Sequence, residues 1–190
     1  MARGVGLIGW LAMLVTVGLV GAGSAVAQAP AATGGTQYGV PPVAFQPVVP
    51  GAVATLVGAI AHAPQDAPEP VKQAIWAANR IVALPYRLGG GHKLEFEDTA
   101  YDCSGTVSYA LHGAGLLARP RDSSSLMRWG AAGAGRWITV YTNPGHAYVV
   151  IAGLRLDTSA AGDPSGAKGP RWRPNLRSTR GYKVRHPVGL

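Results

Sequence analysis

Cysteine is nearly missing from this sequence, which has one among 190 residues. A single cysteine cannot form an internal disulfide, so the folded domain must depend on its apolar core. One cysteine with scattered histidines also offers no recognisable zinc-ligand spacing, and no cofactor is predicted. The glycine run at residues 89–91 is followed by no Lys-Ser or Lys-Thr pair, which excludes a phosphate-binding loop.

Charge is nearly missing from the N-terminus, where Arg3 precedes an apolar stretch over residues 5–20. Ala25-Val26-Ala27 then forms a small-x-small cleavage signature, so residues 1–27 are predicted to be a secretory signal peptide. An uncleaved membrane anchor is the alternative that the apolar length allows. Frequent glycines and the lack of a following basic cluster favour cleavage. In both cases the remainder of the chain is expected to face the outside of the cell. After removal of the signal, no stable membrane span is expected.

Residues 28–68 are rich in Ala, Pro, Val and Gly and have almost no charge or sustained period. This composition predicts a mostly unstructured linker. The run at residues 52–61, between Pro50 and Pro64, is compatible with a short helix or strand. Residues 69–190 are enough for one single-core domain and too few for two.

Hydropathy patterns in residues 69–190 predict helices first and strands afterwards. Helices are expected over residues 69–82, from Cys103 onward, and over 123–129. Strands are expected over residues 137–141, 146–151 and 154–158, with residues 183–185 adding an edge. Helices followed by an antiparallel sheet predict an α+β architecture.

The cysteine lies at the predicted start of a helix. Asp102 is a favourable N-cap, and an apolar face at residues 107, 110, 111 and 114 follows Cys103. Unpaired backbone N–H groups and the positive end of the helix dipole favour a thiolate there, so Cys103 is predicted to be a nucleophile. The alternative is a small buried hydrophobic residue, which is what most lone cysteines are.

A base for this thiol is expected on a later strand. His146 and Tyr148 share one strand face, while Ala147 and its alternate neighbours form an apolar core face. If Ala152-Gly153 is a tight turn, Asp157 falls diagonal to His146, about 7 Å away between backbones. This predicts a catalytic set of Cys103, His146 and Asp157, with the carboxylate orienting the imidazole.

The other histidines are weaker candidates for a functional role. His112 follows Cys103 by nine residues, about half a turn away around the helix, so it should point away from the thiol. His92 follows the glycine run and could line a cleft, but a solvated loop position is expected. His62 falls in the predicted linker, and His186 stands beside a proline near the end of the chain.

Acidic residues are absent between Lys168 and Arg185, which contains seven of the 17 basic residues. The remaining ten basic residues are nearly balanced by nine acidic residues, so seven of the eight net positive charges belong to this segment. For an exported chain the anionic partners would be wall polymers or lipid headgroups, and the attraction should weaken with salt. A solvated basic tail is the alternative. Nucleic acid is not expected, since export and the lack of a recognition motif argue against it.

Three stretches carry a resemblance to a known family. They are Tyr86-Arg87-Leu88-Gly89-Gly90, Asp102-Cys103-Ser104-Gly105 at a helix start, and Gly145-His146 entering an apolar strand. Together, over about residues 69–160, they resemble the NlpC/P60 family of bacterial cell-wall cysteine peptidases. The resemblance implies a papain-like fold and a secreted or cell-wall-associated peptidoglycan endopeptidase that cleaves an amide in stem peptides, usually between D-glutamate and the diamino acid.

The resemblance also implies roles for individual residues. Cys103 matches the nucleophile, His146 the base, and Tyr86 a tyrosine near the oxyanion site. Asp102 and Ser104 match positions that in some members help hold the stem peptide.

Two departures distinguish this chain from the family pattern. The third catalytic position is most often a histidine one residue further along, whereas Asp157 stands here after a shorter turn. The usual Pro-Gly-Asp strand before the base is replaced by residues 137–141 and Asn143-Pro144-Gly145. These changes allow an altered bond preference or a module that binds wall without cutting it. A thiol amidase or acyltransferase acting on another substrate is a further alternative.

Overall fold

The computed structural model describes residues 46–174 and 176–190, so the predicted signal peptide and the first part of the predicted linker lie outside the described residues. In chain order the elements are β1 (Val48–Val49), β2 (Thr55–Val57), β3 (Ile60–Pro64), α1 (Glu69–Ile81), α2 (Cys103–Gly113), α3 (Ser123–Leu126), β4 (Ala131–Ala132), β5 (Ile138–Asn143), β6 (His146–Ile151), β7 (Leu154–Asp157), β8 (Arg171–Arg173) and β9 (Lys183–His186). Within these described ranges, no helix has the length and apolar character needed to cross a membrane.

The main sheet has six strands in the order β4-β9-β5-β6-β7-β8, and every neighbouring pair is antiparallel. The α+β architecture predicted from the sequence is therefore confirmed. The predicted helices and strands fall within a few residues of the observed ones. Placing β9 at the sheet edge was wrong, because the two-residue strand β4 pairs on its outer side.

The apolar core lies between the main sheet and the helices α1 and α2. One face of β6 is fully buried, and α2 and α1 both pack on this strand. The core residues of these three elements are Ala147, Val149 and Ile151 from β6, Val71, Ile75 and Ala78 from α1, and Val107, Ala110 and Leu111 from α2. The alternation in β6 is as predicted, so His146 and Tyr148 lie on the face turned away from this core.

The turn between β6 and β7 fixes the register of the two strands. Ala152 and Gly153 have φ angles of 47° and 91°, the left-handed values that a two-residue hairpin turn requires. Ile151 consequently pairs with Leu154, and the register continued along β7 brings Asp157 to the face that carries His146. The predicted tight turn and its strand parity are confirmed.

The structure corrects the predicted boundary between linker and domain. Residues 46–68 were expected in the linker, but they form β1, β2 and β3, which make a three-stranded sheet in the order β1-β3-β2. Ala54, Ala61 and Ala63 of this region are buried in the core, and β3 packs against α1. Alanine is too weakly apolar to produce a clear hydropathy period, so the hydropathy pattern did not predict these strands. Among the described residues, the folded domain therefore includes residues 46–68 and does not begin at residue 69.

Asn79 on α1 joins the small sheet to the main one. Its Oδ1 accepts hydrogen bonds from the backbone N–H of Ala61 (3.0 Å) and from Nε1 of Trp172 on β8 (2.8 Å). Its Nδ2 donates to the carbonyl of Ala61 at 2.8 Å. Trp76, one turn earlier, donates from Nε1 to the carbonyl of Pro47 at 3.1 Å. Side chains of α1 thus bind the N-terminal strands into the domain.

We expect Asn79→Ala to lower the free energy of unfolding by roughly 2 to 3 kcal/mol, because three hydrogen bonds are lost and their backbone and indole partners stay partly buried. Urea unfolding followed by tryptophan fluorescence measures this loss. Gln73→Ala is the matched control on the same helix, since Gln73 makes an exposed hydrogen bond to Glu69. Equal stability of the two variants would show that residues 46–64 are not part of the cooperative unit.

Candidate active site

Cys103 is the first residue of α2, as predicted. The preceding residue, Asp102, is the N-cap, and its Oδ1 accepts a hydrogen bond from the backbone N–H of Gly105 at 2.7 Å. Cys103 is 9% exposed and is not a member of the apolar core cluster. Its sulfur therefore sits at the positive end of the helix dipole, near backbone N–H groups of the first turn that have no partner within the helix.

Close contact between glycines sets the position of this helix start. A Cβ on Gly105 would lie 2.1 Å from the carbonyl oxygen of Gly90 and 3.1 Å from Cα of Gly91. Such contact is possible only without side chains, so the glycine run packs directly on the Asp-Cys-Ser-Gly turn. The backbone N–H of Asp102 also donates to the carbonyl of Gly90 at 3.1 Å. The glycines at positions 90, 91 and 105 thus allow this close packing.

Tyr86 is brought beside the thiol by the same loop. It pairs with Tyr101 in an isolated parallel bridge just before α2, and it is 44% exposed. Burial raises the pKa of Tyr86, and the nearby negative charges of Cys103 and Asp102 raise it further. The phenol therefore stays protonated at neutral pH and is available as a hydrogen-bond donor.

His146 is held by the turn between β5 and β6. Oδ1 of Asn143 accepts hydrogen bonds from the backbone N–H groups of His146 (2.9 Å) and Gly145 (3.0 Å). Ser123, the first residue of α3, donates from Oγ to the carbonyl of Pro144 at 3.1 Å. The Asn143-Pro144-Gly145 turn thus forms the connection that fixes the position of His146.

The imidazole of His146 contacts Asp157 across the β6–β7 hairpin. Its Nε2 lies 2.9 Å from Oδ1 of Asp157, as strand parity predicted, and the same oxygen accepts from the backbone N–H of Ser159 at 2.8 Å. With Nε2 facing the carboxylate, Nδ1 is the ring nitrogen left to interact with Cys103. A hydrogen bond between Cys103 and the His146 ring is among the interactions that raise the pKa of His146, so the structure brings together all three predicted residues, Cys103, His146 and Asp157.

Electrostatics favour the charged form of His146. Burial alone would lower its pKa, but the hydrogen bonds and negative charges of Asp157 and Cys103 outweigh burial and raise the pKa to about 9. Burial pushes the pKa of Asp157 upward, whereas its contacts with His146, Ser159 and Arg177 lower it overall. At neutral pH an imidazolium thus faces a carboxylate on one side and the sulfur on the other. An imidazole held beside a sulfur in this way is the pairing that nucleophilic cysteine chemistry requires.

Asp102 and Ser104 are buried, at 5% and 4% exposure, and their polar groups already have partners. Besides Gly105, the Asp102 carboxylate accepts from the backbone N–H of Gly89 at 3.0 Å and from Oγ of Ser104 at 3.1 Å. Nε2 of His92 lies 2.9 and 3.0 Å from its two oxygens. Of the His92, Asp102 and Ser104 side chains, that of His92 is the most exposed, at 26%.

His92 lies in a loop, as expected, but its side chain is half-buried against Asp102 instead of solvated. A hydrogen bond to Asp102 raises the pKa of His92 against the lowering effect of burial, and nearby Asp102 and Asp122 charges add to the rise. The sequence offered one signal, a histidine directly after a glycine run. The pairing with Asp102 depends on the folded path of that run, which spacing alone does not reveal.

The other histidines lie in different surroundings. His112 stacks on Phe96, with ring centroids 3.8 Å apart, and its Nδ1 lies 3.0 Å from the carbonyl of Leu117. Nδ1 of His186 lies 3.0 Å from the carbonyl of Gly133. His62 lies on β3. Across residues 46–174 and 176–190, no group of three or more His, Cys, Asp or Glu side chains is arranged to hold a metal ion.

The folded-state pKa of His146 predicts a pH-dependent stability. Because a pKa of about 9 lies above the ordinary 6.5, the imidazolium stabilises the folded state fully below pH 6.5 and this contribution is lost as pH rises through 9. We expect Asp157→Asn to lower the His146 pKa and weaken this dependence. NMR titration of the imidazole Cε1–H measures the pKa of His146 in each protein. Asp66→Asn, which changes an exposed aspartate, is the control. A His146 pKa near 6.5 in the wild type would contradict the close pairing of His146 with Asp157.

The glycine packing at the helix start gives a second prediction. Gly105→Ala should reduce the free energy of unfolding by about 1 to 3 kcal/mol, because its Cβ meets backbone atoms of Gly90 that cannot rotate away. Gly145→Ala is the control, since its Cβ would have only Asn143 Oδ1 nearby, at 3.8 Å. Denaturant unfolding of both variants makes the comparison. A stable Gly105→Ala protein with unchanged Cys103 reactivity would refute the close packing.

Comparison with known proteins does not assign the chain to a family. No protein-family model and no curated protein matches the sequence.

Proposed function

We propose that this protein is a cysteine peptidase that hydrolyses an amide bond in peptidoglycan stem peptides through an acyl-enzyme. The observation that carries the proposal is the placement of His146 between Asp157 and Cys103, at the start of α2. A lone thiol at a helix start has several explanations. A thiol paired with an oriented imidazolium has one principal use, which is nucleophilic catalysis.

The first half of the reaction forms the acyl-enzyme. The Cys103 thiolate attacks the amide carbonyl, and the carbonyl oxygen becomes an oxyanion. Backbone N–H groups at the start of α2, together with the Tyr86 hydroxyl, would stabilise that charge, a contribution commonly of about 3 kcal/mol per donor. The His146 imidazolium then gives its proton to the departing amine as the carbon–nitrogen bond breaks.

The second half releases the acid product. Neutral His146 takes a proton from a water molecule, and the resulting hydroxide attacks the thioester carbonyl. The carbon–sulfur bond breaks and the thiolate leaves, with the imidazolium restored beside it. Asp157 holds the ring in one tautomer throughout, and its carboxylate remains deprotonated.

The fold class supports the finer proposal of a papain-like NlpC/P60 domain. A cysteine that opens a helix packed on an antiparallel sheet, with the histidine on a strand of that sheet, is the arrangement that the resemblance implies. The substrate class comes from the resemblance of the Tyr86, Asp102–Gly105 and Gly145–His146 stretches. The signal-like N-terminus agrees with action outside the cell.

The charge distribution supports a limited electrostatic contribution to wall binding. Part of the basic C-terminal segment is used inside the fold: Arg173 pairs with Asp163, Arg177 with Asp157, and Arg185 donates to the carbonyl of Trp129 at 2.7 Å. Lys168, Arg180 and Lys183 are exposed. An attraction to anionic wall polymers would come from such exposed residues and would weaken with salt.

We expect Cys103→Ala to abolish the release of soluble peptides from purified insoluble peptidoglycan while leaving the thermal unfolding midpoint close to that of the wild type. The nucleophile is lost, but the removed atom lies outside the apolar core. Chromatography with mass spectrometry identifies the released fragments. Sedimentation with the wall, measured in parallel, shows whether the variant still binds.

Other outcomes separate the alternatives. A wild-type protein that sediments with wall but releases nothing is a binding module and not an enzyme. Fragments formed equally by wild type and Cys103→Ala would remove the cysteine mechanism. Transfer of an acyl group to an added amine, or cleavage of a different amide only, would favour an acyltransferase or an amidase.

A further inference from the structure

Arg177 reaches the site from the segment between β8 and β9. Its Nη1 donates a hydrogen bond to Oδ2 of Asp157 at 3.1 Å, and its side chain is 19% exposed. Its guanidinium carbon also lies 5.4 Å from the ring centroid of Tyr148 and 5.6 Å from that of Tyr182. Tyr182 in turn meets the His146 ring edge to face, with centroids 6.4 Å apart. The C-terminal segment thus covers the strand face that carries the base.

The two oxygens of Asp157 have separate partners. Oδ1 binds His146 and the backbone N–H of Ser159, and Oδ2 binds Arg177. The buried Arg155 is further away, with Nε 3.7 Å from Oδ2, outside hydrogen-bond range. Arg173 instead donates to the backbone carbonyl of Asp157 at 3.3 Å. Among the described residues, Arg177 therefore makes the direct side-chain hydrogen bond to Oδ2.

We propose that Arg177 is a positioning residue for catalysis, which acts through Asp157 to hold the His146 imidazole in line with Cys103. The proposal rests on the cysteine chemistry proposed above and adds a fourth residue to it. Arg177 touches neither sulfur nor imidazole in this arrangement; it fixes the carboxylate that fixes the imidazole.

The physical reason is the burial of the carboxylate. The Asp157 side chain is fully buried, so Oδ2 cannot be hydrated and requires a protein donor. Without Arg177, Oδ2 would compete with Oδ1 for the His146 and Ser159 N–H groups, and rotation of the carboxylate would loosen the ring. The planar guanidinium suits the position because it bonds the carboxylate while its face packs over Tyr148 and Tyr182.

A double-mutant cycle tests the proposal. Arg177→Gln, Asp157→Asn and the double variant are compared with wild type, using kcat and KM for a soluble stem peptide and the rate of Cys103 alkylation by iodoacetamide. Arg177→Gln should lower kcat by about tenfold or more with little change in KM, since a hydrogen bond to a buried charge is lost. Arg177→Lys, which keeps the charge, should recover part of the loss.

The decisive result is the behaviour of the double variant. If Arg177 acts through Asp157, adding Arg177→Gln to Asp157→Asn should change the rate by less than about twofold. Multiplied effects would overturn the proposal and indicate that Arg177 contacts substrate or only fastens the C-terminal segment. Arg119→Gln, which removes an exposed arginine elsewhere, controls for the change in net charge.

Two further measurements keep the outcome clear. If Asp157→Asn does not fold, the cycle is run with His146→Ala, in which Arg177→Gln should leave the residual alkylation rate unchanged. If the wild type cleaves no stem peptide, the proposed function fails, yet alkylation still reports whether Arg177 and Asp157 are coupled through His146. An Arg177→Gln protein with wild-type kcat and alkylation rate refutes the positioning role alone.

Discussion

The buried carboxylate of Asp157 is the constraint on which the site depends. A carboxylate withdrawn from water costs several kcal/mol unless charged and hydrogen-bonding partners replace the solvent. Here those partners come from separate parts of the chain: His146 from β6, Ser159 after β7, and Arg177 from the segment before β9. The hydrogen bonds to this one carboxylate therefore fix the imidazole and attach the C-terminal segment to the sheet.

The sulfur is positioned by a different physical effect, the direct contact of backbones. Gly105 and Gly90 approach so closely that no side chain fits between them, and Asp102 caps the helix that Cys103 opens. The packing of α2 on the apolar face of β6 then joins the two arrangements. Polar contacts orient the residues on each side of the site, while the packing of α2 on β6 holds Cys103 beside His146.

Much of the site could be predicted from the sequence because its determinants are local. An N-cap before Cys103 predicts a helix start, alternation in residues 146–151 predicts which face is buried, and a two-residue turn places Asp157 beside His146. Each of these depends on residues within about a dozen positions of one another. The small sheet of β1 to β3 was not predicted beyond a possible short helix or strand over residues 52–61, because its buried residues are mostly alanines. The strands β4 and β8 were missed because two or three residues show no period.

The sequence by itself determined the hairpin that joins His146 to Asp157 and the helix that opens at Cys103, since turn geometry, strand parity and capping act between near neighbours. Only the tertiary structure decided that His92 meets Asp102 and that Arg177 meets Asp157. Arg177 is 20 residues from its partner and stood among seven basic residues with no local feature to distinguish it. Its role follows from the burial of Asp157, and burial is a property of the packed chain and not of any short stretch of sequence.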